Sequence, residues 1–276
     1  MRSVIIYNPQ AGKLRGRGSD PLERARRILI EAGHETTLVP TSGPGAAVEL
    51  ARGLVADRVG LIVAAGGDGT INEVAEGMVH SAVPLGILPA GTANVLAMET
   101  GMNCTLESAA RELLTYTPER ISVGRLHFNN GGSGSRHRHF LLMAGIGLDA
   151  RLIYNLSAPL KTNLGKIAYW IAAFGMMGRR LEEFSVEIED RSYHCSFALV
   201  SKVRNYGGDL TIARDTSMFD DQFEVVLFRG ENSVRYLQYF AGVVTNRLQG
   251  MKGVSILRAR KLRVSSVRDT RVYMQV

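Results

Sequence analysis

The residues with the plainest chemical purpose are Gly66-Gly67-Asp68-Gly69-Thr70, directly behind the apolar run Gly60-Leu61-Ile62-Val63-Ala64-Ala65. Glycines here let the backbone approach a ligand closely and leave its N–H groups free to point at an anion. Ile71, Val74, Ala75 and Met78 then follow at the i, i+3, i+4, i+7 spacing of a helix with one apolar face. The positive end of that helix faces the same spot, as phosphate binding requires. Asp68 sets a carboxylate among groups arranged for phosphate, an arrangement that calls for a cation or a donor between the two. A purely structural reading exists beside this one. Thr70-Ile71-Asn72-Glu73 has the form of a capping box, with Thr at the N-cap and Glu at N3.

Other segments share the pattern of a strand, a turn and a helix. Leu85–Leu88 reads as a short buried strand, followed by Pro89-Ala90-Gly91-Thr92-Ala93-Asn94 and a helical run Val95–Met98. Ser3–Tyr7 reads as a first strand ending at Asn8-Pro9, with Ala11-Gly12-Lys13 beyond it, and a strand Glu35–Val39 stops at Pro40-Thr41. Open α/β sheets bind ligands outside the carboxyl ends of their strands. Asn8, Thr41, Asp68 and Thr92 are therefore expected on one edge.

Taken in order, Asn8-Pro9, Gly66–Val74 and Pro89–Asn94 resemble the diacylglycerol kinase catalytic domain family. The likeness is strongest to its soluble bacterial lipid kinases, relatives of sphingosine and ceramide kinases. Ala144-Gly145-Ile146-Gly147-Leu148-Asp149-Ala150, Tyr206-Gly207-Gly208 and Asp220-Asp221-Gln222-Phe223-Glu224-Val225 resemble segments of that family's second domain. The resemblance implies an α/β protein in two parts. Residues 1–120 would form a parallel-sheet ATP-binding domain, and residues 121–276 a mainly antiparallel β-sandwich domain for lipid and metal.

The implied reaction is ATP- and Mg2+-dependent transfer of the γ-phosphate to a lipid hydroxyl, with diacylglycerol first among the acceptors. The nucleotide would be held by Asn8, Thr41, Gly66, Gly67, Asp68, Gly69, Thr70, Ile71, Asn72 and Thr92. Among these, the N–H groups of residues 66–69, the hydroxyls of Thr70 and Thr92 and the amide of Asn72 would take the phosphates. Asp68 would act at the reacting centre, through Mg2+ or water or by orienting the acceptor hydroxyl. Asp220 would hold Mg2+ with backbone carbonyls near Ser217 and Gln222.

Three departures from the family pattern stand out. Val95 follows Asn94 where the family has Asp, and Asp221 replaces the Gly of an Asp-Gly pair. The family also continues a strand like Tyr273–Val276 into Asp-Gly-Glu, whose Glu is its general base. The expectation is a chain cut short of that segment or one without the usual base. Two other functions stay open: an NAD kinase-like enzyme, though that family's Thr-Pro-Thr-Gly-Ser-Thr segment is not in this sequence, and a non-catalytic nucleotide-binding regulator at the membrane.

The rest of the chain must position these loops. Up to about Thr117, strands and helices alternate, as in a parallel sheet wrapped on both sides. Asp20 reads as an N-cap with Pro21 at N1, opening a helix with the apolar stripe Leu22, Ala25, Ile28, Leu29 and Ala32. Beyond Ile121 the period drops to two, in Phe184-Val186-Ile188, Cys195-Phe197-Leu199, Phe223-Val225-Leu227 and Val272-Met274-Val276. Helices are expected near residues 163–181 and 233–248. Asn129–His139 reads as a mobile hairpin loop whose His137 and His139 lack carboxylate or thiol partners for a metal.

With 276 residues, 45% hydrophobic and 21% charged, the chain can bury two moderate cores. Cys104 and Cys195 are too few and too far apart for a disulfide scaffold, and reduced thiols fit a cytoplasmic protein. Neither a leader peptide nor a bilayer span is legible. The longest apolar stretch, Ile167–Gly178, is 12 residues against the roughly 20 that a span needs. Its Trp170, Phe174, Met176 and Met177 suit a buried helix or a surface that touches acyl chains. The net charge of +7 is concentrated from Arg247 onward, where eight Lys and Arg face Asp269 alone. That balance suits a peripheral association with an anionic bilayer. Aromatics are not interleaved with the bases, and no nucleic-acid motif appears. A dimer is compatible with the sequence but not required by it.

Overall fold

The computed structural model describes residues 1–15, 20–102, 105–129, 135–147, 181–206, 210–230, 233–267 and 272–276. They form two compact units, Met1–Leu141 and Leu142–Val276. The sequence places the change of character at residue 120. The observed division falls later because a hairpin of residues 124–140 belongs to the first unit.

The first unit is built on four parallel strands, β1 (Arg2–Tyr7), β2 (Glu35–Pro40), β3 (Leu61–Gly66) and β4 (Leu85–Pro89), in the order β2-β1-β3-β4. Val4, Ile5 and Ile6 in β1 and Ile62 to Ala65 in β3 are all buried, the mark of strands covered on both faces. Helices α1 (Asp20–Glu31), α2 (Ala46–Ala56), α3 (Asp68–Met78), α4 (Val95–Glu99) and α5 (Leu106–Leu113) supply the cover. The chain steps from β1 to β2 in one direction and from β2 to β3 in the other. Right-handed crossovers then send α1 to one face and α2 and α3 to the opposite face. The packing agrees, since α2 lies against α3 and α1 against α5. Gly77 permits the first of these contacts, because a Cβ there would lie 2.3 Å from the carbonyl oxygen of Val48.

Two local expectations are corrected. Helix α1 begins at Asp20 itself rather than using it as a cap. Residues 136–139, expected in a loop, lie in strand β6 (Arg136–Phe140), antiparallel to β5 (Gly124–Phe128). Histidines of both strands lie side by side, the His127 and His137 rings tilted with centroids 6.0 Å apart and the His137 and His139 rings edge-on at 5.4 Å.

The second unit is antiparallel, as its period predicts. A five-stranded sheet runs β14 (Val254–Ala259), β13 (Phe223–Phe228), β10 (Phe197–Ser201), β7 (Met143–Gly147), β16 (Met274–Gln275). Three more strands, β15 (Arg263–Ser266), β8 (Phe184–Ile188) and β9 (Arg191–Cys195), form a second sheet, and β11 (Asn205–Tyr206) pairs with β12 (Leu210–Thr211). Cys195 to Leu199, read as one alternating run, is split between β9 and β10. Strand β13 is buried on both faces from Glu224 to Phe228 because helix α6 (Ser233–Val244) covers it. Tyr239 and Val243 of α6 pack with Leu199, Val226 and Phe228. That helix ends four residues before the expected Leu248. The helix expected at residues 163–181, with its apolar stretch, lies outside the described residues apart from its last position. Among the described residues, no helix is long and apolar enough to cross a membrane.

Candidate functional site

The strand order fixes where a ligand site belongs. Strands β1 and β3 are neighbours whose following helices go to opposite faces, so the sheet opens a crevice beyond their carboxyl ends. Asn8 leaves β1 at that point, its N–H donating to the Ala65 carbonyl at 3.0 Å. The Asn8 side chain closes a turn by accepting from the Gln10 N–H (2.9 Å), and its Nδ2 donates to Thr70 Oγ1 across the crevice at 3.4 Å. Thr41 follows β2 with its N–H on the Tyr7 carbonyl at 2.8 Å. Ala90 and Gly91 follow β4, and both N–H groups donate to the Gly66 carbonyl, at 2.9 and 3.1 Å. Asn8, Thr41, Gly66, Gly67, Asp68 and the loop of Thr92 thus share one edge of the first unit.

The two glycine loops meet there. A Cβ on Gly91 would stand 2.4 Å from the Gly67 Cα, and a Cβ on Gly66 would stand 2.6 Å from the Thr70 Cβ. These glycines are required by the protein's own packing. Gly69 differs: it is exposed, and a Cβ on it would meet nothing within 4 Å.

Helix α3 begins at Asp68, and extended Gly67 (φ −87°, ψ 178°) is its N-cap, without a side-chain cap. The capping box expected at Thr70–Glu73 is therefore not formed. Glycine needs no side chain to take the extended cap conformation, so the helix starts three residues early and Thr70 falls inside its first turn. Asp68 joins the loops electrostatically, its Oδ1 accepting the N–H of Leu96 in α4 at 3.3 Å.

Two residues expected at the nucleotide, Ile71 and Asn72, have partners within the protein. Ile71 is a core side chain, 1% exposed, and its N–H closes the first helical turn on the Gly67 carbonyl at 3.1 Å. The Asn72 amide is engaged by the backbone of the hairpin. Its Nδ2 donates to the His139 carbonyl at 3.1 Å, and its Oδ1 accepts the Leu141 N–H at 2.9 Å. Its position in the helix turns it toward β6.

Three residues join the site that sequence reasoning left out. Asn94, buried and left-handed (φ 51°, ψ 50°), shapes the second glycine loop with its amide. It accepts from the Gly91 N–H and donates to the Gly91 carbonyl, both at 2.9 Å. Gly91 itself is fixed by the contact with Gly67. Lys13 ties the first loop to the last, its N–H on the Ala90 carbonyl at 3.0 Å and its Nζ on the Pro89 carbonyl at 2.9 Å. The signal for it was present, a Gly-Lys pair just beyond a strand.

In the second unit, Ser217, Asp220 and Gln222 stand in the turn before β13. The Asp220 N–H donates to the Ser217 carbonyl at 3.0 Å. Asp220 Oδ2 pairs with the Arg258 guanidinium at 2.5 Å, its backbone carbonyl accepts the Lys202 ammonium, and Asp221 pairs with Arg260. These residues do not fit a Mg2+ site: a divalent ion would need oxygens that two cations already hold. The expectation of a metal held by Ser217, Asp220 and Gln222 is corrected on that ground. Cys195 is buried, and burial above all pushes its thiol up to about 12, which removes it as a nucleophile.

Comparison with known proteins shows the family. Residues 2–126 match the diacylglycerol kinase catalytic domain. The chain is 30% identical over 255 residues to the diacylglycerol kinase of Bacillus subtilis (strain 168), covering 90% of this chain and 79% of that protein. It is 27% identical over 243 residues to that of Staphylococcus carnosus (strain TM300), covering 84% and 74%. Its fold matches the crystal structure of a diacylglycerol kinase from Bacillus anthracis str. Sterne with a TM-score of 0.73 at 20% identity, over 98% of this chain and 88% of that one. The chain belongs to the diacylglycerol kinase family of lipid kinases.

Proposed function

We propose that this protein transfers the γ-phosphate of Mg2+-bound ATP to the hydroxyl of diacylglycerol. The observation that carries the proposal is the meeting of Gly67 and Gly91 beside the first turn of α3, where Gly69 is a glycine that the protein's own packing does not demand. Phosphoryl transfer asks a protein mainly for positioning and charge stabilisation. In this reading the N–H groups at the start of α3 receive the phosphates, favoured by the helix dipole. Thr92 and Lys13 border them from the neighbouring loops. Thr41 stands two strand spacings from Gly67, about 10 Å, and serves the nucleoside end. Asp68, steadied through Oδ1 by Leu96, orients the acceptor hydroxyl or a water with its other oxygen. Mg2+ arrives as part of the nucleotide substrate and neutralises phosphate charge.

The test is transfer of label from γ-labelled ATP to mixed micelles of diacylglycerol, phosphatidylglycerol, a sphingoid base or ceramide, with NAD in parallel. Labelled phosphatidate is the expected product. Label appearing in NAD alone establishes the nucleotide kinase instead, and nucleotide binding without transfer to any acceptor establishes the regulator. Attachment to an anionic bilayer rests on the basic run beyond Arg247 and belongs to the same proposal. Vesicle sedimentation with and without phosphatidylglycerol measures it.

A further inference from the structure

The turn that should cradle a metal is already neutralised from within. Lys202 follows β10 and is only 1% exposed, yet it carries an ammonium. A buried cation needs acceptors, and this one donates to the backbone carbonyl of Asp220. Burial lowers the affinity of Lys202 for its proton, and the carboxylates of Asp220 and Asp221 oppose that effect. The same turn receives the Arg258 guanidinium on the Asp220 carboxylate and the Arg260 guanidinium on Asp221. The Ser217 carbonyl is bonded within the turn to the Asp220 N–H. Strand pairing holds Arg258 in place, since β14 lies against β13 with Arg258 opposite Glu224.

A divalent ion on the Asp220 carbonyl and carboxylate would therefore meet two positive charges at contact distance. We infer that in this chain the Lys202 ammonium, assisted by Arg258, holds the Ser217–Gln222 turn in place of a divalent metal, so that the second unit is ordered without Mg2+. The inference stands apart from the nucleotide reading, because Mg2+ that travels with ATP is a separate ion.

The experiment is thermal unfolding of the full chain without nucleotide, in EDTA and in MgCl2. A resident Mg2+ at about a hundred times its Kd would raise Tm by roughly 5–10 °C. The expected wild-type result is the same Tm in both solutions, and a Tm that falls in EDTA and returns with Mg2+ overturns the inference. Lys202→Met keeps the aliphatic stem and removes the charge; its Tm should fall, and an unchanged Tm also overturns the inference. Lys202→Ala opens the Asp220 carbonyl, so its lowered Tm should rise in Mg2+. An equal loss in both solutions assigns Lys202 to packing and refutes its role as the cation. Arg258→Gln leaves Lys202 in place and should remain indifferent to Mg2+, which tests the point in a variant altered only at a half-exposed side chain.

Discussion

Substituting alanine for Gly91 probes the crossing of the two loops directly. The added methyl would sit 2.4 Å from the Gly67 Cα, 3.2 Å from the Gly67 N and 3.0 Å from Asn94 Oδ1. Ordinary carbon–carbon contact begins near 3.5 Å, so the loops must part by about 1 Å. Rotating the Asn94 side chain cannot relieve the clash, because the atom nearest the methyl is the backbone Cα of Gly67. Overpacking of this kind costs about 1–3 kcal/mol. A displacement of about 1 Å at a reacting centre costs on the order of a hundredfold in rate. Gly91→Ala should therefore lower the midpoint of urea unfolding and reduce kcat/KM for ATP about a hundredfold. Gly69→Ala is the matched control, since its methyl meets nothing within 4 Å. Alanine in a helix is favoured over glycine by up to about 1 kcal/mol, so this variant should be as stable as the wild type or more so. Its KM for ATP should nevertheless rise, because the methyl occupies the space given to phosphate. A Gly91→Ala protein with wild-type stability and turnover would refute the crossing, and a Gly69→Ala protein with unaltered KM would remove the start of α3 from the phosphate site.

Asp68→Ala should abolish phosphoryl transfer while costing only about 0.5–1.5 kcal/mol for the lost Leu96 hydrogen bond, read by circular dichroism melts beside a transfer assay. Retained turnover would refute its place at the centre. Asn72→Ala strands the buried Leu141 N–H and should destabilise the protein by about 1–3 kcal/mol with KM for ATP little changed, since its amide serves the hairpin. The pH dependence follows from two histidines. Burial, with the N-terminal ammonium as a lesser cause, holds His34 below the usual histidine range, and burial with His137 beside it does the same for His139. Near pH 6.5 the unfolded chain takes up protons that the folded one refuses, so their contribution is present above that pH and lost as pH falls below it. Urea midpoints should drop between about pH 7 and pH 5, and the double variant His34→Gln/His139→Gln should flatten that drop.

The edge that gathers Asn8, Thr41, Asp68 and Thr92 was legible because each follows a short β-branched or apolar run and precedes a helical period, and parallel strands deliver such loops to one side. The glycines at 66, 67 and 91 advertised close approach, yet that Gly67 and Gly91 approach one another is decided by the folded pairing of β3 with β4. Local rules failed where a distant partner decided the outcome. Thr70 has the right neighbours for a cap, but Gly67 takes that position first. Asn72 has the chemistry of a phosphate ligand, but a hairpin more than sixty residues away claims it. Strand β13 loses its alternation because α6 covers its second face, information that no window around Phe223–Phe228 contains. Lys202 gave no signal at all, since a lysine after a strand reads as solvated until Asp220 is seen beside it.

The two hydrogen bonds of Asn72 carry a mechanical consequence. They hold His139 and Leu141, the last stretch of chain before the first unit ends and Leu142 begins the second. The connecting thread is thus bolted to the same rod, α3, whose leading turn holds Asp68. A pull on that stretch of chain therefore reaches α3 one turn from Gly67, without passing through the sheet. Lengthening the thread with a short insert after Leu141 should slacken that line, while cutting the bolt at Asn72 should sever it.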